Sequence, residues 1–559
     1  MGALALDSES IVHHPHDIPK ITTLHSIIRG LSPALILENK AADHFIFPVS
    51  PLLPLLSFRQ LSVLTLVDRK VKMLTSRQPV WTIPSQVTSP PNGGRSNGRV
   101  RLDPYTKMLH RFYEPHLITC ALGQVRGGRT TTISDASDSR FIRRQFLRDL
   151  AFICQYKKDG DTVTAIGVED RPEHFVYWVA ANKDASPRIV PFLRNSLVQL
   201  KDIASSGTDQ SRLTDEFVKR CMEEARARIL AETNMLKGRI RECQLALRRY
   251  GEHQGNDLSE WLQLFAEETD YIDICRLAWR ERQSSKMRKL EELGRDHLNH
   301  SAEGDRKSPF AEAKHYIGRL QAHVHIPQRL VRAAQDASTP DVQALLDTFK
   351  VLAVPKMAPA PRPDPDRQTK LDSIAKRLMI ARPSYSLEAT KAALADLDRA
   401  IQFQDRIMAL YERALNLRVH AEIQVLEHFH SQSLRWAFND RYIGCGKPAC
   451  FNCLLYIRHH EARCEEPDSH QKVYLNWGLP ALPGRAMDTN FWKQNILVSK
   501  MRETMVDSAL EQIMERRPGL QYHADSTTGI TTIFADLDPI GALTGGLESV
   551  HLSGIQEEG

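Results

Sequence analysis

The chain has 559 residues, 42% of them hydrophobic and 25% charged, and a formal net charge of +6. That length suggests two to four folding units, and the composition is that of an ordinary soluble globular protein. A charge this small tolerates a phosphate-bearing partner but does not by itself argue for one.

The N-terminus, "MGALALDSESIVHHPHD", has neither a basic n-region nor an apolar h-region, so no secretory signal is expected. The most apolar stretch, residues 45–67, is interrupted by Pro48, Pro51, Pro54 and Arg59 and reads as buried rather than membrane-spanning. The nine cysteines include five scattered singly (Cys120, Cys154, Cys221, Cys243, Cys275), which fits an intracellular, cytoplasmic or nuclear, compartment better than a disulfide scaffold. Residues 1–140, with "PSQVTSPPNGGRSNGR" in their middle, have no sustained periodicity and read as poorly structured.

"FIRRQFLRDLAFICQY" predicts a helix. Two β-branched and aromatic runs, 162–168 and 174–181, then flank a polar turn with Asp170 and Pro172 and predict a hairpin. Residues 188–354 read as helical, with Leu213, Phe217, Cys221, Ala225 and Ile229 recurring at spacing four. Within them, "RLAWRERQSSKMRK" sets six basic residues around Trp279: a solvated helix face, or a surface for a phosphate backbone. Five prolines in the thirteen residues 355–367 predict an extended linker. Beyond it, Leu394, Leu397, Ile401, Met408, Tyr411 and Leu415 mark a helix. "HAEIQVLEHFH" and "CFNCLLYIRHHEA" are helical in character, "DRYIGC" and "KVYLNW" are strand candidates, and a helix is expected over about 488–516. Residues 368–523 form the unit holding these elements, and 524–559 read as a flexible tail.

Zinc in a catalytic site takes three protein ligands and leaves the fourth position to water. His420, Cys450 and Cys453 supply such a set. The two cysteines stand at i and i+3, so both thiolates can leave one face of a helix start, where the positive end of the helix favours them. His420 also opens a helical stretch. The expected geometry is two helix N-termini converging on one metal, each preceded by a strand end. Glu422 lies about 200° around a helix from His420, a poor direction for a second ligand but a good one for a carboxylate beside the metal-bound water. There it can take the water's proton and return it to a substrate nitrogen, as in zinc base deaminases with H-x-E and Cys-x-x-Cys.

With these motifs the segment from about 419 to 477 resembles the cytidine-deaminase-like superfamily. In particular it is similar to the Orientia-type deaminase-like family, widespread in fungi, which carries His-Ala-Glu and then a Gly-Cys-x-Lys-x-x-Cys-x-x-Cys run. The resemblance implies an α/β fold, a mixed sheet packed by helices in the order strand, strand, helix, strand, helix, strand. It makes His420, Cys450 and Cys453 ligands of Zn²⁺ and Glu422 the proton shuttle. Relatives place Pro directly before the first ligand Cys; here Ala449 separates Pro448 from Cys450, and Pro448 and Ala449 are candidate base contacts. An Asn ending the second strand touches substrate in relatives, which nominates Asn182. Trp477 is a candidate for stacking on the base, though aromatics more often fill cores.

The fold also needs a hairpin before the His-Ala-Glu helix, where the sequence is helical. Residues 141–187 would supply it as the first part of a discontinuous domain, with 188–354 as an all-helical insertion, because loop closure costs grow only logarithmically. The expected function is zinc-dependent hydrolytic deamination of a nucleobase, of cytosine or adenine type, in a nucleotide or a nucleic acid. Glu422 would assist attack by zinc-bound hydroxide. The rival reading is a non-catalytic, zinc-stabilised interaction protein whose helical region binds a protein partner, its clasp drawing on Cys445, Cys464 or His470.

Overall fold

The computed structural model describes residues 102–516, apart from 124, 132–138, 186, 207–208, 250–251, 301–307 and 367. The proline- and glycine-rich stretch around 84–99, the apolar residues 45–67 and the tail 524–559 lie outside the described residues.

At the centre, β1 (Thr164–Arg171) and β2 (His174–Ala181) form an antiparallel hairpin in register from Thr164 opposite Ala181 to Arg171 opposite His174. β3 (Phe349–Ala353) runs parallel to β2 along its outer edge. The short β4 (Gly444–Cys445) pairs antiparallel with β1 through Ala165 and Ile166, giving the order β3-β2-β1-β4. A sheet residue faces the side opposite to its neighbours, and β1 is buried on both sides. Ala165 packs with α14 (Ala421–Ser431) and α15 (Phe451–His459), whereas Ile166 and Val168 pack with α2 (Ser139–Ile153) and α3 (Ile189–Ser205). Gly167 lets α14 lie close on the sheet: a Cβ there would stand 2.7 Å from both Phe429 Cε2 and Val425 Cγ1.

The helical region contains α3, α4 (Gln210–Glu224), α5 (Arg226–Arg249), α6 (Glu252–Glu267), α7 (Tyr271–Arg280), α8 (Ser285–His300), α9 (Pro309–Gln335) and α10 (Pro340–Asp347). The spacing-four apolar row is split at Ala225, between α4 and α5. Phe217 and Cys221 join the core beneath the sheet, while Ala225 and Ile229 join a second core built by α5–α9. The 27-residue α9 runs through both cores. Within the basic run, Trp279 stacks on the His325 ring, centroids 5.0 Å apart, with the Arg282 guanidinium 3.5 Å from its centroid.

Three elements differ from the sequence expectations. Inside the stretch read as poorly structured, α1 (Pro104–Ala121) is a regular helix, capped by Asp103 accepting from Tyr105 N and Thr106 N. Its buried residues, among them Met108, Phe112, Pro115 and Ile118, lie around most of its circumference, so it shows no single apolar stripe. The expected strand at 472–477 is not formed. Gln471 has φ 54° just before it, and the segment makes only isolated bridges, Lys472 to Val125 and Trp477 to Arg418. Third, His420 is preceded by that single bridge rather than by a strand; the helix before it is α13 (Phe403–Glu412), separated from α12 (Leu387–Ile401) by Gln402 at φ 53°.

The proline-rich residues 355–366 run extended along the domain: Ala360 is buried, its N–H donates to Leu479 O at 2.7 Å, and its carbonyl accepts from Tyr113 Oη at 3.1 Å. The helix α11 (Leu371–Leu378) follows, and α16 (Phe491–Met514) packs along α1 to complete the described chain.

Candidate metal centre and active site

Two helix starts meet beside the sheet. His420 is the N-cap residue of α14 and Cys450 that of α15, and Cys450 Sγ accepts from Cys453 N at 3.5 Å. His420 Nδ1 faces both sulfurs, 3.6 Å from Cys450 Sγ and 3.3 Å from Cys453 Sγ. The three donor atoms lie within 4.8 Å of one another, on buried residues. Tetrahedral bonds of the usual Zn–S and Zn–N lengths put N and S about 3.5 Å apart, so the donor set fits such an ion. No other group of three or more His, Cys, Asp or Glu residues among those described could hold a metal.

Long-range contacts hold this geometry. Asn182, just past β2, accepts at Oδ1 from Ala421 N (2.8 Å), the first amide of α14, and donates from Nδ2 to Gly160 O (2.7 Å). Gln424 donates from Nε2 to Ala181 O at 3.1 Å and Val419 O at 2.9 Å. Arg418 pairs with Asp161 at the entrance to β1. On the cysteine side, Ala449 N donates to Asp468 O (2.7 Å) and Phe451 N to Lys472 O (2.9 Å), which satisfies amides at the open end of α15. Trp477 donates from Nε1 to Cys453 Sγ at 3.1 Å.

Electrostatics favour one thiolate already in the free donor set. Burial opposes ionisation of Cys450, but its hydrogen bond with Cys453 and the His420 imidazolium hold its thiol down at about 6. Burial, and then the neighbouring Cys450 thiolate, drive the Cys453 thiol far up. Burial disfavours the His420 cation, yet the charge and hydrogen bond of Cys450, together with the Glu422 charge, outweigh it and raise His420. Glu422 stands in the first turn of α14; its side chain is buried and its Oε2 has no hydrogen-bond partner among the described residues. A carboxylate oxygen kept dry and unpaired is costly, which calls for a cation or a proton donor in front of it.

Residues 419–481 match the family model described as "OTT_1508_deam:-like deaminase". Residues 419–481 are thus similar to a deaminase family. No curated protein and no solved structure matches the chain. The matched stretch contains α14, β4 and α15 but not the hairpin.

The structure thus brings His420, Cys450 and Cys453 together, with Glu422 two positions after His420 in the first turn of α14. Of the four candidate substrate contacts, Pro448 lines a cavity beside the site, whereas Ala449 is buried and engaged through its backbone. Asn182 holds the start of α14, and Trp477 is fully buried beneath Cys453, against Phe112 at 5.5 Å between ring centroids. Arg418 and Gln424 were absent from the sequence reading; Gln424, one turn after His420, carries no signal of its own because its partner Ala181 is 243 positions away. No described helix is long and apolar enough to cross a membrane.

Proposed function

We propose that the protein is a zinc-dependent hydrolytic deaminase acting on a nucleobase within a nucleotide or a nucleic acid. The reading is carried by one observation: His420 Nδ1 faces two cysteine sulfurs at 3.3 and 3.6 Å, and Glu422, in the first turn of the helix that His420 opens, has its Oε2 buried without a hydrogen-bond partner among the described residues. A structural zinc site uses four protein ligands, whereas three with an open fourth position suit catalysis. His420, Cys450 and Cys453 would hold the ion, which supplies Lewis acidity that makes water a nucleophile near neutral pH. Glu422 then serves as general base and acid at Oε2, accepting a proton and returning it to a ring nitrogen of the substrate. Its burial keeps that proton from bulk water, and Trp477 and the α15 N-terminus stabilise the thiolates while charge changes nearby. The hairpin at 164–181 belongs, on this reading, to the same catalytic domain, with the helical residues 188–354 as an insertion between its two parts.

The test is metal content by mass spectrometry on wild type and Glu422→Ala, with ammonia release assayed on the same samples against nucleosides, nucleotides and single-stranded DNA and RNA. One zinc per chain in both is expected, with turnover in Glu422→Ala reduced roughly 10²–10⁴-fold, the usual contribution of a positioned proton carrier. Undiminished turnover in that variant would overturn the assigned role of Glu422. Zinc in both proteins with ammonia from neither would instead favour the non-catalytic, zinc-stabilised interaction protein.

A further inference from the structure

The loop that carries Cys450 has a second side. Cys445, Gly446, Lys447 and Pro448, which lead from β4 to the Cys450 cap, also line a cavity of about 90 Å³. Helix α2 contributes Arg148 and Phe152 to its wall, the segment before α2 contributes Arg129 and Thr130, and α9 of the helical region contributes Ile326. This wall is firmly held: Asp149 on α2 accepts from Arg329 Nε on α9 at 2.6 Å.

The charge of this cavity is unbalanced. Its described lining has three cations, Arg129, Arg148 and Lys447, against two carboxylates, Asp149 and Asp468, or 3 − 2 = +1. Asp149 is already bound to Arg329, which raises the balance of the cluster to 4 − 2 = +2. Arg148 gives Nη1 to Asp468 at 2.8 Å and Nη2 to Gln145 Oε1 at 2.6 Å, but its Nε is buried without a hydrogen-bond partner. Size narrows the occupant further. At roughly 10–15 Å³ of such space per water the cavity takes several waters, which leaves room for one tetrahedral oxyanion. The cavity is also close to the chemistry: the Cys445 thiol in its wall is raised by burial first, and then by the nearby Glu422 carboxylate.

We propose that this cavity is a phosphoryl-binding subsite of the candidate active site, with Arg148 and Lys447 holding a phosphate group of the substrate. The proposal rests on the deaminase reading for the word substrate, but the binding itself does not. It makes the helical region part of the specificity machinery, since Ile326 walls the subsite. The phosphoryl group can come from a free nucleotide or from a nucleic-acid backbone, and either source meets the same guanidinium and ammonium groups.

The test uses the full-length, zinc-loaded protein and inorganic phosphate as the probe, with binding measured by calorimetry on wild type, Lys447→Ala and Arg148→Lys. Phosphate should bind wild type and bind Lys447→Ala about tenfold more weakly, the usual scale for one charge-assisted contact. Arg148→Lys should weaken it as well, because an ammonium cannot reproduce the planar fork. Absence of phosphate binding by wild type, or equal affinity in a folded Lys447→Ala, would overturn the subsite. In parallel, ammonia release is compared for nucleosides, their 5′-monophosphates and single-stranded oligonucleotides. Lys447→Ala should raise KM for phosphorylated substrates and leave it unchanged for nucleosides; equal effects on both count against the proposal. A monophosphate preference identifies a free nucleotide as the source, and activity on oligonucleotides alone identifies the polymer. If no sample releases ammonia, the deaminase reading fails while the calorimetry still decides the subsite.

Discussion

At the scale of single residues, Asn182 shows how a side chain can serve a candidate metal site without touching it. Its carbonyl oxygen accepts from the amide directly after His420, 239 positions along the chain, while its amide nitrogen is fixed on Gly160 O. The effect is that of a helix N-cap supplied by a distant strand end, since His420 itself makes no side-chain cap bond. Asn182→Ala should therefore cost about 1 kcal/mol of stability, the typical value of a lost cap. It should also weaken zinc binding roughly 10–100-fold, as loss of ligand-orienting contacts does. Denaturant titration and competitive chelation on the same protein would check both, and unchanged zinc affinity would confine Asn182 to a structural part. The cluster of His420, Cys450 and Cys453 was legible in the sequence because its chemical types stand at short, fixed spacings. The roles of Asn182, Arg418 and Trp477 were not, because each depends on which distant backbone or sulfur the fold brings within 3 Å or so, and ordinary hydrogen-bond reach leaves no trace in local spacing.

At the scale of elements, the close approach of α14 to β1 is what fixes the helix that opens at His420. Gly167 has no room for a side chain, since a Cβ would meet Phe429 and Val425 at 2.7 Å. Gly167→Val should lift α14 from the sheet and destabilise the protein by about 1–3 kcal/mol, the cost of overpacking a dense core. Urea unfolding is the direct measurement, and a change within 0.5 kcal/mol, about what a neutral surface substitution gives, would mean that the sheet yields instead. The hairpin could be read from sequence because alternating β-branched and aromatic runs around a Pro-containing turn leave few other solutions. The irregular course of 472–477 could not. Its composition is that of a strand, but the carbonyl of Lys472 is taken by Phe451 N, and Gln471 turns the chain just before it. Helix α1 was hidden for the opposite reason, being buried around most of its surface and so without the apolar–polar contrast that betrays a surface helix.

At the scale of the whole molecule, the sheet joins strands from distant parts of the chain: β1 pairs with β2 across a tight turn and with β4 nearly 280 positions later. A fragment holding residues 367–559 keeps all three candidate ligands and Glu422 but loses β1, β2, β3 and α1. It would expose the sheet-facing side of α14, including Val425 and Phe429, and leave the α14 start without its Asn182 cap. We expect it to be insoluble or unfolded, with weak cooperativity in thermal melts. A monomeric, well-folded fragment that binds zinc at wild-type affinity would mean that the hairpin lies outside the catalytic unit.

The separation of β2 from α14 has a consequence for synthesis. Between Ala181, the end of the hairpin, and Ala421, the start of the helix that covers it, the ribosome adds 421 − 181 = 240 residues. At roughly 5–20 residues per second this takes about 12–48 s, far longer than the microseconds in which a hairpin forms. For all that time the side of the hairpin that will receive Val425 and Phe429 lacks their cover, while its other side can already be met by α3 and then α9 as they emerge. The helical region thus acts during translation as a scaffold that arrives early, and the candidate metal ligands enter a half-built nest only in the last quarter of the chain.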